Sequence, residues 1–246
     1  MKQKGDERMK AVMLTGAGGT DMLELQDVPD PVLEGPHDVL VRLHAAGLNP
    51  VDYKLRRKGG FYPGRLPLIL GCDGAGVVEA AGDAVTRFKV GDEVYFFNGG
   101  MGGDDQGNYA ELTTLHEDYL AAKPKSLTMV EAASVPLVWL TAWESLFDRY
   151  SLQAGDTVLI HGGAGGVGYI AVQIAKNAGA TVFTTISSPE KAAFAQAIGA
   201  DHCINYKEEN FVESILDLTD GEGVDMVFDV IGGQVFADSF PAAKIF

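Results

Sequence analysis

Basic residues are scarce in this chain of 246 residues, where 19 Lys and Arg stand against 34 Asp and Glu for a formal charge of −15. The one basic cluster, Lys54-Leu55-Arg56-Arg57-Lys58, reads as an exposed helix end, so a nucleic-acid or anionic-membrane surface is not expected. Cysteine is scarcer still. Cys72 and Cys203 lie far apart without CxxC spacing, which argues against a disulfide framework and against a structural zinc site. Long apolar runs are missing as well: nowhere do 18 apolar residues run together, and Met1 to Arg8 is polar with no apolar h-region. These absences predict a cytoplasmic location. The hydrophobic content of 46% is enough to build a core, in two domains or one large one.

The stretch His161-Gly162-Gly163-Ala164-Gly165-Gly166-Val167-Gly168 follows the apolar run Thr157-Val158-Leu159-Ile160 and opens the run Tyr169 to Lys176. Strand, glycine turn and helix thus come in order. Gly163, Gly165 and Gly168 fit G-x-G-x-x-G, in which the first glycine allows a tight turn, the second lets a pyrophosphate approach the backbone and the third lets helix and strand pack closely. The anion would sit at the helix N-terminus, over Gly165, Gly166 and Val167. A second strand at Thr181–Ile186, a helix opened by Ser188 and Pro189, and strands near His202–Asn205 and Val224–Val230 continue the pattern, with a helix near Phe211–Leu218. These are strands one to four of a doubly wound α/β sheet.

About 20 residues past the glycines, where an NAD site carries an acidic residue on the ribose, this chain has Ser187 and Ser188, with Lys191 one helical turn on. That pattern points to a ribose 2′-phosphate and hence to NADPH. Ser188 also reads as an ordinary helix cap and Lys191 as a solvated lysine.

The part before residue 125 has a different texture: Ala11–Leu14, Val39–Leu43, Gly76–Ala80, Glu93–Phe97 and Tyr109–Leu112 are short strand-like runs among Gly, Pro, Asp and Asn. Leu127 to Phe147 reads as mainly helical, with Thr128 and Glu131 spaced as a capping box and Pro136 restarting the helix. The expected division is 1–130, with residues 1–8 as a disordered tail, and 131–246.

Gly71-Cys72-Asp73-Gly74-Ala75-Gly76-Val77-Val78, Gly91-Asp92-Glu93-Val94, Leu140-Thr141-Ala142-Trp143 and Ala164-Gly165-Gly166-Val167-Gly168 together resemble the medium-chain dehydrogenase/reductase superfamily, and within it the zinc-independent quinone oxidoreductase branch. The resemblance implies a GroES-like β-barrel catalytic domain followed by a Rossmann domain, with the active site in the cleft between them. It implies hydride transfer from NADPH to a small quinone or α,β-unsaturated carbonyl. Where zinc-dependent members carry their first cysteine ligand this chain has Asn49, and their Gly-His-Glu reads Gly71-Cys72-Asp73, so no metal site is expected. Asn49 and Tyr62 match the asparagine and tyrosine that line the cleft in zinc-independent relatives, where an amide N–H and a phenol O–H would stabilise charge on a carbonyl oxygen. Tyr53 is a weaker candidate. Asn49 before Pro50 also reads as a helix cap, and Tyr62 as a packing aromatic. By the same resemblance Thr141 faces the nicotinamide ribose and Tyr206 the adenosine phosphate.

Relatives continue through Rossmann strands five and six, which build the nicotinamide half of the site, whereas this sequence stops at Phe246. Low turnover, or a nucleotide-binding remnant without turnover, is the alternative expectation. A zinc alcohol dehydrogenase is a further one. Strand four would form an exposed apolar edge, from which self-association or the need for a partner is expected.

Overall fold

The computed structural model describes residues 7–59, 64–101, 103 and 106–244. It divides into two compact units, Met1–Leu137 and Val138–Phe246.

The first unit contains β1 (Arg8–Leu14), β2 (Leu23–Pro29), β3 (Asp38–Gly47), α1 (Pro50–Lys58), β4 (Leu68–Ile69), β5 (Asp73–Ala81), β6 (Glu93–Phe97), β7 (Leu112–His116), β8 (Leu120–Ala122) and α2 (Met129–Ala133). Its strands build two antiparallel sheets, ordered β2-β1-β4 and β7-β3-β5-β6-β8. Alternation sends Val39 and Val41 of β3 inward to meet Val78, Val94 and Phe96 from the neighbouring strands, and this apolar cluster is the core of the larger sheet. Arg8, expected in a disordered tail, instead begins β1 opposite Pro29. The expected strand at Tyr109–Leu112 starts only at Leu112, because the preceding residues cross between sheets: Tyr109 accepts from Val12 N–H at 2.8 Å and Glu111 from Leu43 N–H at 2.9 Å. The capping box at Thr128 and Glu131 is present, and the helix it opens packs on β3 and β5, so the first unit runs past the expected boundary to Leu137.

Helix α3 (Pro136–Trp143) continues as a π-helical turn over Glu144–Arg149. The second unit then follows with β9 (Thr157–His161), α4 (Gly166–Asn177), β10 (Thr181–Ile186), α5 (Pro189–Ala197), β11 (His202–Asn205), α6 (Phe211–Leu218), β12 (Met226–Phe228) and α7 (Gln234–Ser239). All strands are parallel, in the order β11-β10-β9-β12. Numbered within the unit this is 3-2-1-4, the doubly wound order expected from the sequence. Successive residues leave the sheet on opposite faces. Val158, Ile160 and Val182 pack with Ala171, Ala175 and Ala195 of α4 and α5, while Leu159, Phe183 and Ile204 pack with Ile215 of α6. No helix among the described residues is long and apolar enough to cross a membrane.

Candidate functional site

At the C-terminal end of β9 the chain reverses through Gly162, whose φ of +70° lies in the left-handed region that favours glycine. The sequence reading gave that turn to Gly163. Gly163 is needed for a different reason, since a Cβ there would lie 2.1 Å from Thr184 Oγ1 on β10. A Cβ on Gly168 would meet the Gly162 carbonyl oxygen at 2.2 Å, so α4 can seat on the turn only without a side chain at that position. Gly165, the N-cap, has no capping side chain, the first turn holds no acidic residue, and Gly165 and Gly166 are exposed while Val167 packs on the core. Helix α4 therefore opens with uncapped backbone N–H groups and bare glycine surface, and the turn fits the pyrophosphate of a dinucleotide.

Beside it, at the end of β10, the structure brings together Ser187, Ser188, Lys191 and Tyr206. Lys191 Nζ donates to Ser187 Oγ at 3.1 Å, and Ser188 caps α5 by accepting from Lys191 N–H at 3.4 Å. The backbone of Tyr206 donates to the Ile186 carbonyl at 3.2 Å, which leaves its ring exposed at the same sheet end. The Lys191 ammonium with the Ser187 hydroxyl suits a ribose 2′-phosphate, while the Ser188 hydroxyl is engaged by the Glu190 carboxylate in the first turn of α5. Thr141 lies on the exposed side of α3, its carbonyl accepting from Ser145 Oγ at 2.8 Å.

Asn49 belongs to the first unit and is the N-cap of α1, as Pro50 at the first helical position led us to expect. Its backbone N–H donates to Asp52 Oδ2 at 2.7 Å, and its side-chain Nδ2 donates to Asp73 Oδ2 at 2.9 Å. The other oxygen of Asp73 accepts from Leu137 N–H at 2.9 Å. Burial pushes the Asp73 carboxyl up to about 6. Asp52 also accepts from Tyr109 Oη at 2.7 Å; burial raises its carboxyl and raises the Tyr109 phenol. Tyr53 lies under Arg57, 5.3 Å from its ring centre, in the basic last turn of α1. Tyr62 lies outside the described residues. The sequence reading missed the partnerships of Asp73 and Tyr109. The spacing of Asp52 three residues after a helix cap was the only local sign of either cluster.

Residues 35–125 match the alcohol dehydrogenase GroES-like domain family, and residues 166–245 match the zinc-binding dehydrogenase family. The quinone oxidoreductase of Pseudomonas aeruginosa is 42% identical over 231 residues, which is 94% of this chain and 69% of that protein. The chain belongs to the quinone oxidoreductase branch of the medium-chain dehydrogenase/reductase superfamily. An NADPH-dependent alkenal/one oxidoreductase of Arabidopsis thaliana is 41% identical over 92% of this chain and 58% of its own length. Among solved structures, Escherichia coli quinone oxidoreductase complexed with NADPH superposes with a TM-score of 0.83 at 29% identity, covering 96% of this chain and 70% of that one.

The second family's description implies zinc, and the residues here do not fit it. Asn49 offers an amide already engaged by Asp73, and both oxygens of Asp73 are taken, one by Asn49 and the other by Leu137 N–H, which leaves Cys72 without two further ligands. Among the described residues no three His, Cys, Asp or Glu side chains converge as a metal site.

Proposed function

We propose that this protein is an NADPH-dependent reductase that delivers hydride to quinones or α,β-unsaturated carbonyls without catalytic zinc. The observation that carries the cofactor assignment is the Lys191 ammonium against Ser187 Oγ at the ribose end of β10. The names of the P. aeruginosa and A. thaliana relatives support the two substrate classes. When bound, NADPH supplies the hydride, and everything else is left to side chains and solvent.

Gly165 and Gly166 admit the pyrophosphate to the α4 N-terminus. Lys191 and Ser187 hold the 2′-phosphate, Ser188 keeps α5 capped beside it, Tyr206 flanks the adenosine, and Thr141 faces the nicotinamide ribose. Asn49 has two amide protons, one of which Asp73 takes. The other is free for a substrate oxygen, where it would stabilise negative charge, and the family resemblance offers the Tyr62 hydroxyl as second donor. Water then protonates the reduced product.

The test is oxidation of NADPH by purified protein with a quinone and with an enone, with and without chelator, alongside calorimetric titration with NADPH. Turnover that survives the chelator supports the reading. Failure to bind NADPH, or activity that vanishes on metal removal, overturns it.

A further inference from the structure

Three buried side chains of the second unit that the proposed chemistry does not use form a continuous hydrogen-bonded line from the glycine turn to α7. Gly162 N–H donates to Thr185 Oγ1 at 3.1 Å, and Thr185 Oγ1 lies 3.1 Å from His161 Nδ1. On the far side of the ring His161 Nε2 lies 2.9 Å from Ser239 Oγ, which donates to the Val235 carbonyl at 2.6 Å. All three side chains are nearly inaccessible to solvent, and the Phe211 ring stands edge-on to the imidazole at 5.0 Å.

The line has one direction. A carbonyl can only accept, so the Ser239 proton points at Val235 and Ser239 Oγ must accept from Nε2–H. In the neutral ring Nδ1 is then an acceptor, which Thr185 serves with its hydroxyl proton while its oxygen takes Gly162 N–H. Every donor in the line has an acceptor. The carbonyl of the same residue accepts from Gly165 N–H at 2.8 Å and is the atom on which Gly168 seats, so the turn that Thr185 bonds runs directly into the N-terminus of α4.

We propose that His161, as the neutral Nε2–H tautomer, is a positioning residue of the dinucleotide site that acts through Thr185 to hold the Gly162 turn in its phosphate-binding shape. The inference rests on the dinucleotide reading of that turn. It makes the shape of the turn depend on a relay anchored in α7 as well as on strand pairing, and it assigns Thr185 and Ser239 to the site although neither is in the glycine motif.

Thr185→Val keeps the shape of the side chain but leaves Gly162 N–H and Nδ1 unpaired, whereas Thr185→Ser keeps the hydroxyl. The expected result is a loss of about tenfold in affinity for both NADPH and 2′,5′-ADP in Thr185→Val, recovered in Thr185→Ser, measured by calorimetry. Ser239→Ala, which breaks the line at its other end, is expected to weaken both ligands in the same direction. Imidazole nitrogen NMR of the unmodified protein at neutral pH is expected to find Nε2 protonated and Nδ1 bare. A protonated Nδ1 in the neutral ring would overturn the inference, and so would a Thr185→Val protein that melts earlier yet binds both ligands unchanged. If the unmodified protein binds neither ligand, the dinucleotide reading falls and the inference falls with it, an outcome distinct from the other two.

Discussion

Asn49 and Asp73, on different elements of the first unit, are joined by an amide N–H donated to a buried carboxylate at 2.9 Å. The bond fixes which way the Asn49 amide faces and commits one of its two protons. If the second proton serves the substrate oxygen, Asn49→Ala combined with Tyr62→Phe should lower kcat by about tenfold to hundredfold, below the roughly 10² to 10³ typical of a donor aimed at a developing oxyanion because water can substitute. Steady-state NADPH oxidation checks this. Unchanged turnover in the double variant would move the polarising groups elsewhere.

The pH dependence of stability should contain two opposing contributions from the first unit. Asp73 is raised from 3.8 to about 6, so its contribution is fully present below pH 3.8 and is lost as pH rises through about 6. Glu117 is lowered from 4.5 to about 2, by the ring of His37 first and by the Arg87 and Thr86 N–H groups, so its contribution is present above pH 4.5 and is lost as pH falls toward 2. Melting temperatures across this range should show Asp73→Asn gaining on the unmodified protein as pH rises from about 4 to about 6. Glu117→Gln should be the less stable protein at neutral pH and converge with the unmodified one in acid. Parallel pH profiles for all three proteins would refute both assignments.

The Lys191–Ser187 contact predicts cofactor preference. NADPH should bind about tenfold more tightly than NADH, about 1.4 kcal/mol, the size of one good charge-assisted contact. Titration of Lys191→Ala should find most of that preference gone. Equal affinities in the unmodified protein would remove the basis for assigning Ser187 and Lys191 to the ribose.

Phe183 on β10 is 2% exposed, stacks on His202 at 4.7 Å between ring centres and packs in the core that includes Leu159 and Ile215. Phe183→Ala should cost about 3–5 kcal/mol through lost transfer energy and the cavity left behind. Urea unfolding of the second unit's signal measures it. A loss below about 1 kcal/mol would mean that the site collapses around the smaller residue.

Among the described residues β12 is bonded to a neighbouring strand on one side alone, that of β9. A cavity of about 350 Å³ beside it is lined by Val227, Asp229, Phe236, Ser239, Phe240 and Ala243, with Phe240 65% exposed. An apolar strand edge of this kind favours pairing with another copy. Sedimentation should therefore find oligomers of the unmodified chain at micromolar concentration and a smaller species for Phe236→Glu combined with Phe240→Glu. Equal sedimentation of the two would rule out that edge as the contact.

Local order was legible in the amino-acid sequence because its causes are local. The alternation and apolar runs of β9 and β10, the Ser188-Pro189 start of α5, the Thr128–Glu131 capping box and the placement of α6 all follow from side chains within a few residues of one another. Ser187 and Lys191 were singled out by their spacing past the glycines and Tyr206 by the family resemblance, and the parallel sheet order puts the ends of β10 and β11, which carry them, side by side. Tertiary structure decided what depends on distant partners. It put the tight turn at Gly162 and gave Gly163 a separate task, since Thr184 on the neighbouring strand leaves no room for a Cβ there. It gave Asn49 a carboxylate partner from β5, closed the Tyr109–Asp52 bond across 57 positions, and ran the line from Gly162 to Ser239 through a histidine that by sequence is simply the last residue of a strand. A hydrogen bond between segments leaves no periodicity in either one, so the polar groups that orient this site could be found only once the chain was folded.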